Sequence, residues 1–175
     1  MEKFMKKALL IIDVQNAMIA VEKPVYQANK KIQMIQSLIN KARKKNILII
    51  YVQHNEQESE FENGTDTWQI FAGIKPKIGD IIIQKTESDS FYGTLLKDVL
   101  EQNQIAQLVI VGMQTEYCIN ATSNRAVELG FEVTLIKDAH STWNSDEQSA
   151  IEIINLHHDK WLKNMILVNE NEYEF

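Results

Sequence analysis

A chain of 175 residues, 45% apolar and with only two prolines, is long enough to bury a core without disulfides and too apolar to be disordered. Its net charge of −6, with lysines and arginines scattered apart from a short cluster over Lys41 to Lys45, argues against a nucleic-acid partner. The single cysteine, Cys118, excludes an internal disulfide and any multi-thiolate metal site, which leaves packing or chemistry as its use.

The N-terminal stretch Met1 to Lys7 is charged, and the apolar run behind it is too short for a signal peptide or a membrane span. A cytoplasmic protein with no membrane partner is expected. That run, Ala8 to Ile12, is continuous and partly β-branched, as in a strand covered on both faces of a parallel sheet, and Asp13 stands at its C-terminal end. From Gln27 to Lys45, Ala28, Ile32, Ile35, Leu38, Ile39 and Ala42 recur at helical spacing, which predicts an amphipathic covering helix. A second strand is expected over Ile47 to Val52. The polar segment from His54 to Gly79 lacks periodicity and is longer than most connections in a compact domain, as functional loops often are.

Ile81 to Ile83 predicts a third strand ending near Lys85, with a helix from about Gly93 to Glu101. Leu108 to Val111 predicts a fourth strand, broken by Gly112, and then a helix with Ile119, Thr122, Ala126 and Leu129 on one face. Cys118 falls at or just before its first turn. Phe131 to Ile136, Asp146 to about Trp161, and Met165 to Val168 complete the series as strand, helix and strand. The alternation predicts one domain over residues 1–175, a doubly wound α/β fold with a mostly parallel sheet and helices on both faces.

In such sheets ligands bind beyond the C-terminal strand ends, near a topological switch point. Asp13, Lys85 and Cys118 each follow a different predicted strand and so share that edge. A thiol attacks as thiolate, and the start of a helix together with the Lys85 ammonium would favour that form. Asp13 could take the thiol proton and later return it to a leaving amine, or activate water as a base. The run from Gly112 to Cys118 supplies successive backbone N–H groups at a strand-to-helix turn, suited to an oxyanion and hence to a carbonyl substrate. Each residue also has a plainer use: Cys118 as a small buried hydrophobe, Asp13 as a turn cap, Lys85 as a solvated strand end.

Leu10-Ile11-Ile12-Asp13-Val14-Gln15, Lys85 with Ser90-Phe91-Tyr92-Gly93-Thr94, Val111-Gly112-Met113-Gln114-Thr115-Glu116-Tyr117-Cys118, and Asp138-Ala139-His140-Ser141-Thr142 together resemble the isochorismatase-like cysteine hydrolases, relatives of nicotinamidases and N-carbamoylsarcosine amidases. The resemblance covers nearly the whole chain. It implies a six-stranded parallel sheet, catalytic roles for Asp13, Lys85 and Cys118, and a cis peptide between Met113 and Gln114 that turns the amides of Gln114 and Cys118 toward an oxyanion. Members that cleave vinyl ethers lack the cysteine, whereas amide-cleaving members keep it, so the resemblance favours a C–N hydrolase acting through a Cys thioester.

Nicotinamidases of that family usually hold a metal through an aspartate and several histidines after the second strand. Here Val52 precedes His54 by two residues, and no further histidine occurs before His140. His157 and His158 are adjacent on a helix and point apart. No metal and no cofactor are expected. Trp68, Phe91, Tyr92 and Tyr117 fall in or beside the presumed site loops, with Phe91 and Tyr117 the favoured pocket walls, and His54 is either a pocket residue or a hydrogen-bonded strand end. The partners expected are a small amide and, by resemblance, further copies of the chain in a homodimer or homotetramer. Two other readings stay open: a redox-sensing thiol protein, and a non-amide hydrolase of the same family. A nucleotide-binding module fits less well, because Asp13-Val14-Gln15-Asn16-Ala17 has no glycine for a pyrophosphate to approach.

Overall fold

In the computed structural model, which describes residues 5–175, the apolar runs become six parallel strands: β1 (Lys6–Ile12), β2 (Leu48–His54), β3 (Ile81–Lys85), β4 (Ile105–Met113), β5 (Glu132–Ser141) and β6 (Ile166–Val168). Met1 to Phe4, the start of the charged stretch, lie outside the described residues. The strands lie in the order β3-β2-β1-β4-β5-β6. Because Ala8–Ile12 is a continuous apolar run, β1 can sit at the centre, paired to β2 and β4 and buried throughout that run.

Alternation along β1 feeds two separate cores. Leu9 and Ile11 face α2 (Ala28–Lys44), whose Ile32, Ile35, Leu38, Ile39 and Ala42 form the stripe expected from their spacing. Ala8, Leu10 and Ile12 face the opposite layer of α3 (Leu96–Gln102), α4 (Asn120–Glu128) and α5 (Ala150–Trp161), which contributes Leu96, Leu100, Ala126 and Trp161. Each fully buried aliphatic side chain contributes about 2 kcal/mol, so both helix layers are held chiefly by these stripes. The C-terminal segment is tied down too: Ser37 Oγ donates to Glu170 Oε1 at 2.6 Å, and Lys41 Nζ donates to the carbonyls of Glu170 and Tyr173.

Three boundaries differ from the sequence reading. A one-turn helix, α1 (Asn16–Ile19), precedes α2 and was not expected. The helix expected from Asp146 starts only at Ala150, where Ser149 and Glu152 form a reciprocal cap that fixes the entry. The strand expected to end at Ile136 continues as β5 to Ser141, past an irregularity in its pairing with β4. That extension carries Asp138 to Ser141 to the edge where β1, β3 and β4 end.

The two directions of the strand order diverge between β1 and β4, which makes the gap beyond their C-terminal ends the switch point. Gly112 is required there. At φ +124 and packed on Ile12, it has no room for a Cβ, which would collide with the Ile12 backbone.

Candidate active site

The residue that ends β1 does so abruptly. Asp13 adopts a left-handed backbone with φ 52 and donates its N–H to Val52 O at 2.9 Å, so the chain leaves the sheet while the carboxylate stays buried at its edge. Lys85 ends β3, two strands away and in register with His54 of β2. Its stem reaches past β2 and places Nζ 2.9 Å from Asp13 Oδ2. Apart from this ion pair, neither carboxylate oxygen of Asp13 has a hydrogen-bond partner among the described residues.

Cys118 arrives from β4. After Met113 the chain passes through the cis Met113–Gln114 peptide into a π-helical turn, Thr115–Ile119, that runs straight into α4. Cys118 lies inside this turn rather than at an α-helical start, with Sγ 3.3 Å from Lys85 Nζ. The three candidates of the sequence reading therefore converge on one ammonium, and the cis bond stands where the resemblance placed it.

Electrostatics correct one expectation. The thiol is not eased toward thiolate in this arrangement: burial, and then the neighbouring Asp13 charge, push it up to about 12 against an opposing pull from Lys85. The lysine is present, as anticipated, but desolvation and a second anion outweigh it. For Lys85, burial alone would lower the ammonium, yet Asp13 and Cys118 outweigh it and hold it above its ordinary value.

The turn that carries Cys118 is braced from the end of β5 and the residue after it. Thr115 Oγ1 lies 2.9 Å from His140 Nδ1, whose Nε2 lies 2.9 Å from Nε2 of His158 on α5. Thr142 Oγ1 donates to Glu116 Oε1 at 2.7 Å and accepts from Gln114 Nε2 at 3.3 Å. Burial lowers His140 well below its ordinary value and His158 to about 4. His157 turns away, with Nδ1 2.8 Å from Ile153 O, so the adjacent pair diverges as expected.

The aromatic residues separate. Phe91 is corrected: it is not a pocket wall but a core residue, 9% exposed and stacked on Phe131 at 6.0 Å between centroids. The cause is local, because Ser90 is anchored to Thr122 through both its N–H (3.0 Å) and its hydroxyl (2.8 Å), which swings Phe91 inward beneath α4. Tyr92 and Tyr117 are exposed instead, at 68% and 56%. Trp68 is half-buried, its Nε1 donating to Asn55 Oδ1 at 2.7 Å. His54 faces inward, with Nδ1 3.1 Å from Lys85 Nζ and its ring edge-on to Phe61.

Two cavities open at this end, both bordered by Asn55 and Thr86. One, of about 240 Å³, is lined also by Gln84, Lys85, Tyr92 and Gly93; the other, of about 630 Å³, by Glu56, Gln57, Glu62 and Asn63. A larger hollow of about 990 Å³ lies at the opposite end of the sheet, beside Lys7, Arg43 and Ile105, remote from the cysteine.

Sequence reasoning missed Gln15. Its Nε2 donates to the carbonyls of His54 and Trp68, and its Oε1 accepts from His54 N at 2.9 Å, which clamps the end of β2 and the long loop beside Asp13. Its place two residues after the strand-end aspartate was the available signal. The bracing role of His140 was likewise absent from the sequence reading, although its segment was part of the resemblance.

The chain is thus a doubly wound α/β sheet with an acid, a lysine and a cysteine gathered at its switch point. The family model described as the isochorismatase domain matches residues 7–158, and the chain belongs to the isochorismatase family. It is 33% identical over 146 residues to the uncharacterized isochorismatase family protein YrdC of Bacillus subtilis (strain 168), an alignment covering 82% of this chain and 78% of that protein. It is 30% identical over 139 residues to a streptothricin hydrolase of Streptomyces noursei, covering 79% of this chain but only 50% of that enzyme. A crystal structure of an isochorismatase family protein superposes with a TM-score of 0.88 at 30% identity, over 93% of this chain and 98% of that one. Among the described residues no helix is long and apolar enough to cross a membrane.

Proposed function

We propose that this protein is a cysteine hydrolase that cleaves a C–N bond of a small amide, carbamoyl or ureido compound through a thioester on Cys118. The observation that carries the reading is the single ammonium of Lys85, 2.9 Å from Asp13 and 3.3 Å from Cys118. Because the resting sulfur is held as thiol, the nucleophile forms by transfer of its proton to Asp13 as the substrate carbonyl approaches. Sulfur then adds to the carbonyl carbon, and the amides of Gln114 and Cys118 stabilise the oxygen that gains charge. Asp13 returns the proton to the departing nitrogen, leaving a thioester and an amine or ammonia. Water, giving a proton to Asp13, attacks the thioester, and the acid leaves as the thiol is restored.

Charge in the long loop after β2, whose Glu56 and Glu62 border the cavity of about 630 Å³, supports neutral or cationic substrates over anionic ones. Residues 55–74 carry Glu56, Glu58, Glu60, Glu62 and Asp66 and no lysine or arginine, while Lys85 is matched within the protein. A peroxide-sensing thiol is disfavoured by the same desolvation that holds Cys118 protonated.

The test is a screen of small neutral, cationic and anionic amides for ammonia or amine release, followed by intact-mass detection of an acyl adduct. Turnover with an adduct localised to Cys118, both lost in Cys118→Ala, is expected. Undiminished turnover by Cys118→Ala would overturn the reading.

A further inference from the structure

The Lys85 ammonium has three protons and four acceptors around it: Asp13 Oδ2 at 2.9 Å, Glu87 O at 2.9 Å, His54 Nδ1 at 3.1 Å and Cys118 Sγ at 3.3 Å. One acceptor must go without. While Cys118 is a thiol its sulfur is the weakest of the four, so the protons go to the carboxylate, the carbonyl and the imidazole. Once the sulfur becomes anionic it outcompetes a neutral ring nitrogen, because hydrogen bonds to charged acceptors are markedly stronger.

We propose that His54 is a positioning residue that holds the third proton of Lys85 in the resting site and yields it to Cys118 when the thiolate forms. Charge is conserved throughout: the thiol proton passes to Asp13, the sulfur gains the negative charge that Asp13 loses, and one lysine N–H turns from Nδ1 to Sγ. His54 itself neither gains nor loses a proton. It stays in the tautomer with hydrogen on Nε2, since Nδ1 must accept.

The surroundings enforce that part. Gln15 grips both the N–H and the carbonyl of His54, and the Phe61 ring stands edge-on to the imidazole at 5.4 Å, so the ring is fixed in both place and tilt. The charged groups facing it are Lys85, Asp13, Glu56 and Glu87. Burial, and after it the Lys85 charge, lowers the imidazole below its ordinary value, which keeps it a neutral acceptor at physiological pH. The strand register sets this meeting directly, because His54 and Lys85 are paired residues of β2 and β3.

This inference rests on the reading of Cys118 as nucleophile, but alkylation needs no substrate and so tests it separately from amide turnover. The rate of Cys118 carbamidomethylation by iodoacetamide at pH 8 is measured for the full-length wild type, His54→Leu and His54→Asn, with circular dichroism to verify folding. Leucine offers no acceptor, so the lysine proton is left to the sulfur and about tenfold more thiolate is expected. Lower intrinsic nucleophilicity offsets part of this, giving alkylation about threefold faster. The amide oxygen of asparagine replaces Nδ1 and restores the wild-type rate.

An unchanged or slower rate in His54→Leu, or equal rates in the two variants, would overturn the proposal. Should His54→Leu fail to fold, long-range correlations between the ring nitrogens and carbon-bound ring protons of ¹⁵N-labelled wild type decide it: hydrogen on Nε2 of His54 is required, and hydrogen on Nδ1 refutes it.

Discussion

Lys85 Nζ and Asp13 Oδ2 meet at 2.9 Å with side chains 0% and 1% exposed, which makes the charge pair at the heart of the site a buried one. Removing one member strands the other in a low-dielectric interior, a change that typically costs 3 to 5 kcal/mol. Lys85→Met is therefore expected to destabilise the fold by about 3 kcal/mol. The double variant Asp13→Asn/Lys85→Met should lose much less than the sum of the single changes. Urea denaturation of the four proteins measures both, and strict additivity would mean that the two charges do not stabilise each other.

The same two residues should move thiol reactivity in opposite directions. The Asp13 charge raises the Cys118 thiol and the Lys85 charge lowers it. Asp13→Asn is expected to react several-fold faster with iodoacetamide near pH 8, and Lys85→Met several-fold slower, since a neighbouring charge shifts such a group by about 1 to 3 units. Amide turnover should fall in both variants, because Asp13→Asn gains thiolate but loses the proton carrier. A merely structural Asp13 would leave alkylation unaltered.

Stability should decline on mild acidification through His158 and His140. Both rings are held neutral in the fold, His158 down to about 4, whereas an unfolded histidine titrates near 6.5. Above pH 6.5 neither state is protonated and stability is full; as pH falls toward 4 the unfolded chain binds protons that the folded one refuses. Because His158 retains some solvent contact, its share between pH 7 and 5 is about 1 to 2 kcal/mol. Wild type should lose that much more than His158→Gln over this window in parallel urea titrations. Parallel curves would show that the imidazole is not desolvated.

Gly112→Ala should be among the most damaging single substitutions. The new methyl meets the Ile12 backbone at a left-handed residue, and neither strand can yield without opening the β1/β4 seam. A loss of about 4 kcal/mol or more is expected, read as a large fall in denaturation midpoint or failure to accumulate folded protein. Gly64→Ala, where nothing lies within 4 Å, should cost far less despite its own positive φ.

The strand-and-helix order, the helical stripe of α2 and the convergence of Asp13, Lys85 and Cys118 were all legible in the sequence. Buried parallel strands and amphipathic helices leave strong periodic signals, and strand ends locate an edge. Less legible were features set by tertiary contact. The inward turn of Phe91 depends on Ser90 meeting Thr122 from α4, thirty-two residues away. The reluctance of Cys118 to ionise depends on depth of burial, which no spacing encodes. His54 was noted as a strand-end histidine, but its hold on Lys85 follows from the β2/β3 register, and the clamp by Gln15 follows from the path of the long loop. The continuation of β5 to Ser141 escaped notice because Lys137 and Asp138 interrupt the apolar run.

Chain direction orders the three residues in time as well. Asp13 is synthesised first, Lys85 second and Cys118 last, although β4, which leads to Cys118, lies directly beside β1 in the finished sheet. A nascent chain ending before residue 118 has an acid and a lysine but nothing to attack with. Under the proposed mechanism, the nucleophile is thus the final member of the group to leave the ribosome.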